Sequence, residues 1–249
     1  MALQHESLFG APIRVGGRVV RLAGLSDVDG VMALRSRAFR AGAEDRDDFD
    51  ADSLHLWVGP EDGSAPEATL RLRRHASGPA LLAGYAAGLY DLAAMAQAGG
   101  ETLELGRLCT EPGAGDADLL RLLWAGVARL ALQTGAARLI GCTSFSGTDV
   151  MALDPAWAYL SARHQPPEAL SPGRKAPETH GFDRVQGEAS VEGQAMLPPL
   201  LRAYLSMGGW VSDHAVVDRD LNTCHVFTCV EIDKMPPARR RVMAQMAGM

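Results

Sequence analysis

The sequence predicts a single α/β domain of the α+β type, with a mixed central sheet and helices on both faces. Three observations predict it. Strand-like and helix-like segments run in the order β-α-β-β-α-β-α-β-α-α-β-β, without the steady alternation of a doubly wound sheet. Between Asp116 and Thr134, Leu119, Leu120, Leu123, Val127, Leu130 and Ala131 line one helical face, and Gly135 ends the helix. Apolar residues make up 47% and charged residues 22% of the 249, the balance of a globular chain with a real core.

Taken in order, Arg18–Gly24 reads as a strand. Ser26 is placed to cap the helix that follows, with Asp27 and Asp29 where its positive end favours acids. Val28, Val31, Met32, Leu34, Ala38 and Phe39 then recur at helical spacing. Residues 41–52 are acidic and loop-like, so Asp47, Asp48 and Asp50 are expected in solvent; were the loop to close over a site, their charge would suit a cationic amino acid. Ser53–Val58 and Ala68–Arg74 are strands about a turn-rich link, and Tyr90–Gln97 is a short helix closed by Gly99 and Gly100. Glu101–Cys109 alternates as a strand. Arg138–Ser144 is an apolar strand, and Asp149–Arg163 a helix. Residues 164–195, rich in Pro, Gly and charge, read as a long loop or flap. Leu197–Ser206 is a helix, and Trp210–Val217 and Thr223–Asp233 are the closing strands. The expected organisation is an extension over 1–17, the domain over 18–233, and a basic, methionine-containing tail over 234–249.

Several functions lack support. The net charge is −6, against a nucleic-acid partner, since phosphate binding needs an excess of Lys and Arg on one face. No apolar run reaches the roughly 20 residues that cross a bilayer. The N-terminus lacks the basic start and apolar run of a secretory signal. A cytoplasmic protein is expected, with Arg239–Arg241 and the methionines after them available for peripheral contact with anionic lipid. Cys109, Cys142, Cys224 and Cys229 show no zinc spacing and read as buried thiols, so neither metal nor cofactor is expected. Neither phosphate-binding glycine motif nor G-x-S-x-G is present.

Leu34-Arg-Ser-Arg-Ala-Phe39, Asp52-Ser-Leu-His-Leu56, Thr69-Leu-Arg-Leu-Arg73 and Leu103-Glu-Leu-Gly-Arg-Leu-Cys109 occur in that order. They are followed by Leu139-Ile-Gly-Cys-Thr-Ser-Phe-Ser-Gly-Thr-Asp149, Leu197-Pro-Pro-Leu-Leu-Arg-Ala-Tyr204 and Val217-Asp-Arg-Asp-Leu-Asn-Thr223. Together these segments resemble the ornithine–acyl-carrier-protein N-acyltransferases, relatives of the Gcn5-related acetyltransferases and the autoinducer synthases. The resemblance runs from about residue 18 to 230. It implies a Gcn5-related fold, a 3-hydroxyacyl donor on acyl carrier protein, and an amino-acid acceptor, ornithine foremost, giving a lyso-aminolipid. Glutamine as acceptor, an autoinducer-synthase-like activity and a non-catalytic carrier-binding module stay open. The chain departs from the family at Ser53, where cysteine is more usual, and at Glu111-Pro112, where relatives often carry His-Pro. The phosphate loop of coenzyme-A-using relatives is only faintly echoed by Pro112–Gly115, which fits a carrier-protein donor.

Amide formation from a thioester needs an acceptor for the amine's proton, stabilisation of the oxyanion and alignment of two substrates. Glu104, on a central strand, is the candidate proton acceptor, with a structural ion pair to Arg107 as the alternative. Arg107 is the candidate for a substrate carboxylate or the carrier's phosphate, because its guanidinium forks onto both. Asp149 either caps the next helix or takes the amino acid's cation. Asp218, Arg219 and Asp220 form a charged hairpin turn or a substrate contact. Arg35 and Arg37 either face the acyl carrier or answer the helix dipole, and His55 is a core histidine or a substrate contact. Arg71, Arg73 and Arg74 are a candidate landing patch for an acidic carrier protein.

Overall fold

The computed structural model describes residues 8–114, 116–185 and 187–248. In chain order its strands and helices are β1 (Ile13–Val15), β2 (Arg18–Leu22), α1 (Val28–Phe39), β3 (Leu54–Pro60), β4 (Ala68–His75), α2 (Gly78–Leu82), α3 (Tyr85–Leu89), β5 (Tyr90–Asp91) and α4 (Ala93–Ala98). There follow β6 (Thr102–Thr110), α5 (Ala117–Thr134), β7 (Arg138–Ser146), α6 (Asp154–Arg163), β8 (Gly173–Arg174), β9 (Thr179–Gly181), α7 (Val191–Ala195), α8 (Pro199–Ser206), β10 (Trp210–Asp218), β11 (Thr223–Glu231) and α9 (Pro237–Met246). The chain divides into two compact units. One holds residues 1–74, 105–136 and 237–249, the other 75–104 and 137–236.

In the first unit β1, β2, β3 and β4 lie in that order as antiparallel neighbours, and β6 follows β4. Period-two alternation sends Val19 and Trp57 to one face, where Val31 and Met32 of α1 cover them. Val20 and Leu56 point to the other face and meet α5. A Cβ on Gly126 of α5 would lie 2.8 Å from Leu56 and 3.1 Å from Val20, so only glycine permits this approach. Asp116 caps α5 through the Asp118 amide, and Gly135, at φ +66°, ends it. The segment expected as a tail is helical: α9 lies on α5 with Met243 buried, and Arg129 donates to the Ala247 carbonyl at 2.9 Å. Ile13–Val15, inside the expected N-terminal extension, pairs with β2. Residues 1–7 of that extension lie outside the described residues.

In the second unit the order is β7-β11-β10-β9, with antiparallel pairing throughout. One face carries Ile140, Trp210, Val216, Phe227 and Cys229 against Leu81, Ala86 and Met95 from α2–α4. The other carries Phe145, Val211, Ala215 and Val226 against Trp157 and Leu160 of α6 and Leu201 of α8. Helices therefore cover both faces of the sheet in each unit, and the chain is a mixed α/β protein. Two helices, α2 and α3, stand where sequence gave no element. The region read as one long loop contains β8, β9 and α7, with β8 pairing to Tyr90–Asp91. Among the described residues no helix is long and apolar enough to cross a membrane.

Candidate functional site

The first unit holds a buried network of arginines and aspartates. Arg35 lies on the stripe of α1 formed with Val28, Val31, Met32 and Phe39, which carries its side chain inward to 0% exposure. Its Nε donates to Asp45 Oδ2 at 2.9 Å and its Nη1 to Asp50 Oδ1 at 2.5 Å. Arg71, on β4, donates to Asp47 at 2.5 Å and Asp50 at 2.9 Å. Arg107, on β6, donates to Asp45 at 3.1 Å and Asp47 at 3.4 Å, and Arg40 reaches Asp45 at 3.3 Å. Four guanidiniums thus meet three carboxylates. The face of Phe39 lies 5.9 Å from the Arg107 guanidinium, and Phe49 lies 5.8 Å from Arg71 and 5.4 Å from Arg73.

Arg107 holds φ at +50° within a strand, a left-handed conformation that a side chain with a Cβ adopts only at an energetic cost. The ion pairs to Asp45 and Asp47 hold the residue in place. Burial pushes the Asp50 carboxyl up, but hydrogen bonds from Arg35, the Asp47 amide and Arg71 outweigh it and bring the group down to about 2. His55 lies opposite Arg71 in the β3–β4 register, 3.9 Å from Asp50. Burial lowers its imidazole to about 4, with Asp50 opposing and Arg35 and Arg71 adding to the fall, so it is neutral at pH 7. Arg35 Nη2 and His55 Nδ1 are buried with no hydrogen-bond partner.

The second unit holds Glu104. Its side chain is buried, with Oε2 2.8 Å from His75 Nε2 and 3.2 Å from the Tyr85 amide, while Oε1 accepts from the Ala86 amide at 2.6 Å. The start of α3 and the end of β4 together fix this carboxylate. Gly84 makes room for it: a Cβ there would lie 2.6 Å from Glu104 Oε2 and 2.9 Å from His75 Cε1. Glu104 and Arg107, considered together from sequence, each have their own partners.

The remaining candidates occupy local positions. Arg37 is exposed and pairs with Glu111 through two bonds of 2.9 and 2.6 Å. Asp149 accepts from the Met151 and Ala152 amides, capping the short 3₁₀ turn before α6. Asp218 accepts from the Leu221 amide in the β10–β11 hairpin, where Asn222 sits at φ +51°. Arg219 pairs with Glu178, and Asp220 is exposed on the same turn. Two expectations need correction. Arg71 is buried and engaged by Asp47 and Asp50, so Arg71, Arg73 and Arg74 do not form a surface patch; Arg73 lies 3.6 Å from Asp52 and Arg74 alone is exposed. Asp47 and Asp50 belong to the arginine network rather than to a solvated loop.

Sequence reasoning missed Asp45, His75, Tyr90, His214 and His225. The available signals were weak: an arginine on the apolar stripe of α1, and histidines in strand runs whose neighbours are apolar. All four cysteines are free, and three of them are buried. Burial pushes the Cys109 thiol up to about 12, which leaves no thiolate nucleophile there at neutral pH.

A mixed sheet with helices on both faces, with a buried carboxylate on one of its strands, places the chain among the GNAT-type acyltransferases. Residues 30–125 match the family model described as an acetyltransferase (GNAT) domain. The fold is similar to that of FeeM, an N-acyl amino acid synthase from uncultured soil microbes, with a TM-score of 0.52 at 11% identity, over 96% of this chain and 98% of that one. L-ornithine N(alpha)-acyltransferase of Rhodobacter capsulatus is 36% identical over 153 residues, covering 61% of this chain and 58% of that protein. The protein of the same name from Agrobacterium fabrum is 31% identical over 261 residues, covering 94% of this chain and 86% of that one. The chain belongs to the L-ornithine N(alpha)-acyltransferase family.

Proposed function

We propose that the chain transfers a 3-hydroxyacyl group from acyl carrier protein to the α-amine of an amino acid, ornithine foremost, giving a lyso-aminolipid for membrane lipid synthesis. The observation that carries the reaction is the buried pair of Glu104 and His75, 2.8 Å apart. The amine nitrogen attacks the thioester carbonyl, the C–N bond forms, and the C–S bond breaks as the carrier's thiol leaves. The amine's proton goes to the pair, directly or through one water. Two backbone amides hold the Glu104 carboxylate in place beside the His75 imidazole, so the two groups act as one proton-accepting pair. Arg107, oriented by Asp45 and Asp47, supplies the cation for the amino acid's carboxylate or the carrier's phosphate. The excess of guanidinium over carboxylate in its network suits an anion.

The preference for ornithine is supported by the names of the relatives. The acidic residues that suggested a cationic acceptor are engaged by arginines, so they lend it no support. Carrier protein and peripheral membrane contact, the latter through exposed Arg239–Arg241 of α9, are part of the same proposal. The test is product analysis by mass spectrometry, with 3-hydroxyacyl carrier protein and a mixture of the common amino acids plus ornithine. One N-acylated product names the acceptor and supports the reading, and Glu104→Gln then abolishes turnover. Background release of carrier thiol with no acylated amino acid overturns it.

A further inference from the structure

Helix α3 is five residues long, too short to hold its own shape, because the first turn of a helix costs more order than its bonds return. Yet the amides of its first two residues, Tyr85 and Ala86, fix the Glu104 carboxylate. Whatever steadies the other end of α3 therefore bears on that carboxylate. The carbonyls of a helix's last turn need partners from beyond it. In α3 the Ala86 carbonyl accepts from the Tyr90 amide, the first residue of β5. The Ala87 carbonyl accepts from Lys175 Nζ at 2.6 Å, and the Leu89 carbonyl from the Ala176 amide at 2.8 Å. Ala87 is 2% exposed, so solvent does not readily make good the loss of that ammonium.

Lys175 and Ala176 belong to a strap inside the region read from sequence as one long loop. Just before them, Gly173 and Arg174 pair with Asp91 and Tyr90, the two residues that follow α3. The strap is itself anchored. Leu170 and Ala176 pack into the apolar cluster that holds Ala86, Ala87 and Met95. Arg174 donates to Asp183 at 2.8 Å, and its guanidinium fills the space left by Gly181, where a Cβ would collide with Nη2. Further on, the Glu178 carbonyl accepts from the Val217 amide at 3.1 Å, and Thr179–Gly181 pairs with β10. Pro172 and Pro177 bracket the segment and restrict its backbone. The strap thus ties the C-terminal end of α3 to the sheet.

A lysine suits this place because its flexible stem carries a compact cation from an exposed position to a buried carbonyl, and a cation is favoured at the end of a helix where carbonyls gather. We propose that Lys175 is a positioning residue for acyl transfer: by holding the C-terminal end of α3, it keeps the Tyr85 and Ala86 amides on Glu104. This rests on the acyl-transfer reading above, in which Glu104 and His75 take the amine's proton. Lys175 acts through α3 and touches neither member of that pair. Its loss lets the helix fray, and the carboxylate leaves the place where the amine must meet it.

The experiment joins initial rates to hydrogen exchange read residue by residue by NMR. Lys175→Met is expected to lower kcat about tenfold and to leave KM for either substrate within about twofold, since a displaced base slows the chemical step alone. Lys175→Arg, which keeps a cation on a long stem, returns kcat to within about threefold of wild type. Gly84→Ala displaces the same carboxylate directly, so adding Lys175→Met to it costs no more than about twofold further. In Lys175→Met the Tyr85 and Ala86 amides exchange about tenfold faster or more, while those of β10 and β11 keep their wild-type rates. Ala176→Pro removes the neighbouring donor of the strap and gives the same exchange pattern, which keeps the test open if Lys175→Met does not fold. Wild-type exchange at Tyr85 and Ala86 in these variants overturns the proposal, as does wild-type kcat in Lys175→Met or a full tenfold further loss in the Gly84→Ala background. Absence of any acylated amino acid from the wild-type chain overturns instead the reading on which the proposal rests, and exchange still decides whether Lys175 holds the two amides.

Discussion

Arg35 and Asp45 form an ion pair in which neither side chain is more than 1% exposed, with 2.9 Å between Nε and Oδ2. Asp45 also takes hydrogen bonds from Arg40 and Arg107, so one carboxylate joins α1, the loop after it and β6. Replacing such a network with apolar residues is often neutral, but removing one partner strands the others without compensation. Asp45→Asn keeps the shape and removes the charge. It is expected to lower unfolding stability by about 3 kcal/mol, read as a shift of the urea midpoint at unchanged slope. A loss below about 0.5 kcal/mol would show that the arginines find other anions.

Stability should fall steeply on mild acidification. His55 and His225 sit at about 4 in the folded chain, against 6.5 for a free imidazole. Their folded values are depressed, so the unfolded chain binds protons first. The stabilisation they represent is complete above pH 6.5 and disappears as pH falls toward 4. With both groups titrating, unfolding free energy drops by up to about 2.7 kcal/mol per pH unit within that window. Asp50, held near 2, adds a second loss only below about pH 4. Urea unfolding from pH 7 to 4.5 should show the slope, and His55→Gln with His225→Gln should flatten it.

Gly84 tests the Glu104 geometry without touching either partner. Its φ of −80° suits alanine, so backbone strain is not introduced. The added methyl would collide with Glu104 Oε2 and His75 and must push the carboxylate off its amides. The expected outcome for Gly84→Ala is a fall in kcat of about a hundredfold, as misplacement by about an ångström produces. The circular dichroism spectrum should stay native. Wild-type kcat would show that Glu104 need not hold this position.

Much of the architecture was legible because it follows local rules. Every strand longer than three residues announced itself by alternation or an apolar run, and α5 by its leucine stripe, its cap and Gly135. The pair α2 and α3 did not, since five-residue helices in the Gly- and Ala-rich stretch 78–89 have too few turns for a periodic signal. They are held instead by packing on Ile140 and Phe227, which lie far along the chain. Glu104 stood out as a carboxylate in an apolar strand. The aspartates near residue 47 misled for a physical reason: an acidic run normally stays in solvent. Here Arg71 and Arg107 reach it from 24 and 60 positions away, which no local pattern reports. Arg35 did carry a signal, since it falls three after Met32 and four after Val31 on the helix face that packs inward.

Arg107 separates backbone strain from side-chain chemistry. At φ +50° a residue with a Cβ pays about 1 kcal/mol that glycine does not. Arg107→Ala and Arg107→Gly both lose the ion pairs to Asp45 and Asp47, leaving two aspartates with fewer cations. The glycine variant is nonetheless expected to be about 1 kcal/mol more stable than the alanine variant, against the usual order within a strand. Both should lose activity to the same degree, because the guanidinium is absent from each, and Arg107→Lys should recover little of it, lacking the planar fork. Paired urea unfolding and initial-rate measurements on the three variants decide this. If alanine matched glycine in stability, the left-handed turn of β6 would carry no strain. If lysine restored the rate, the residue would serve as a point charge rather than as a two-pronged anion clamp.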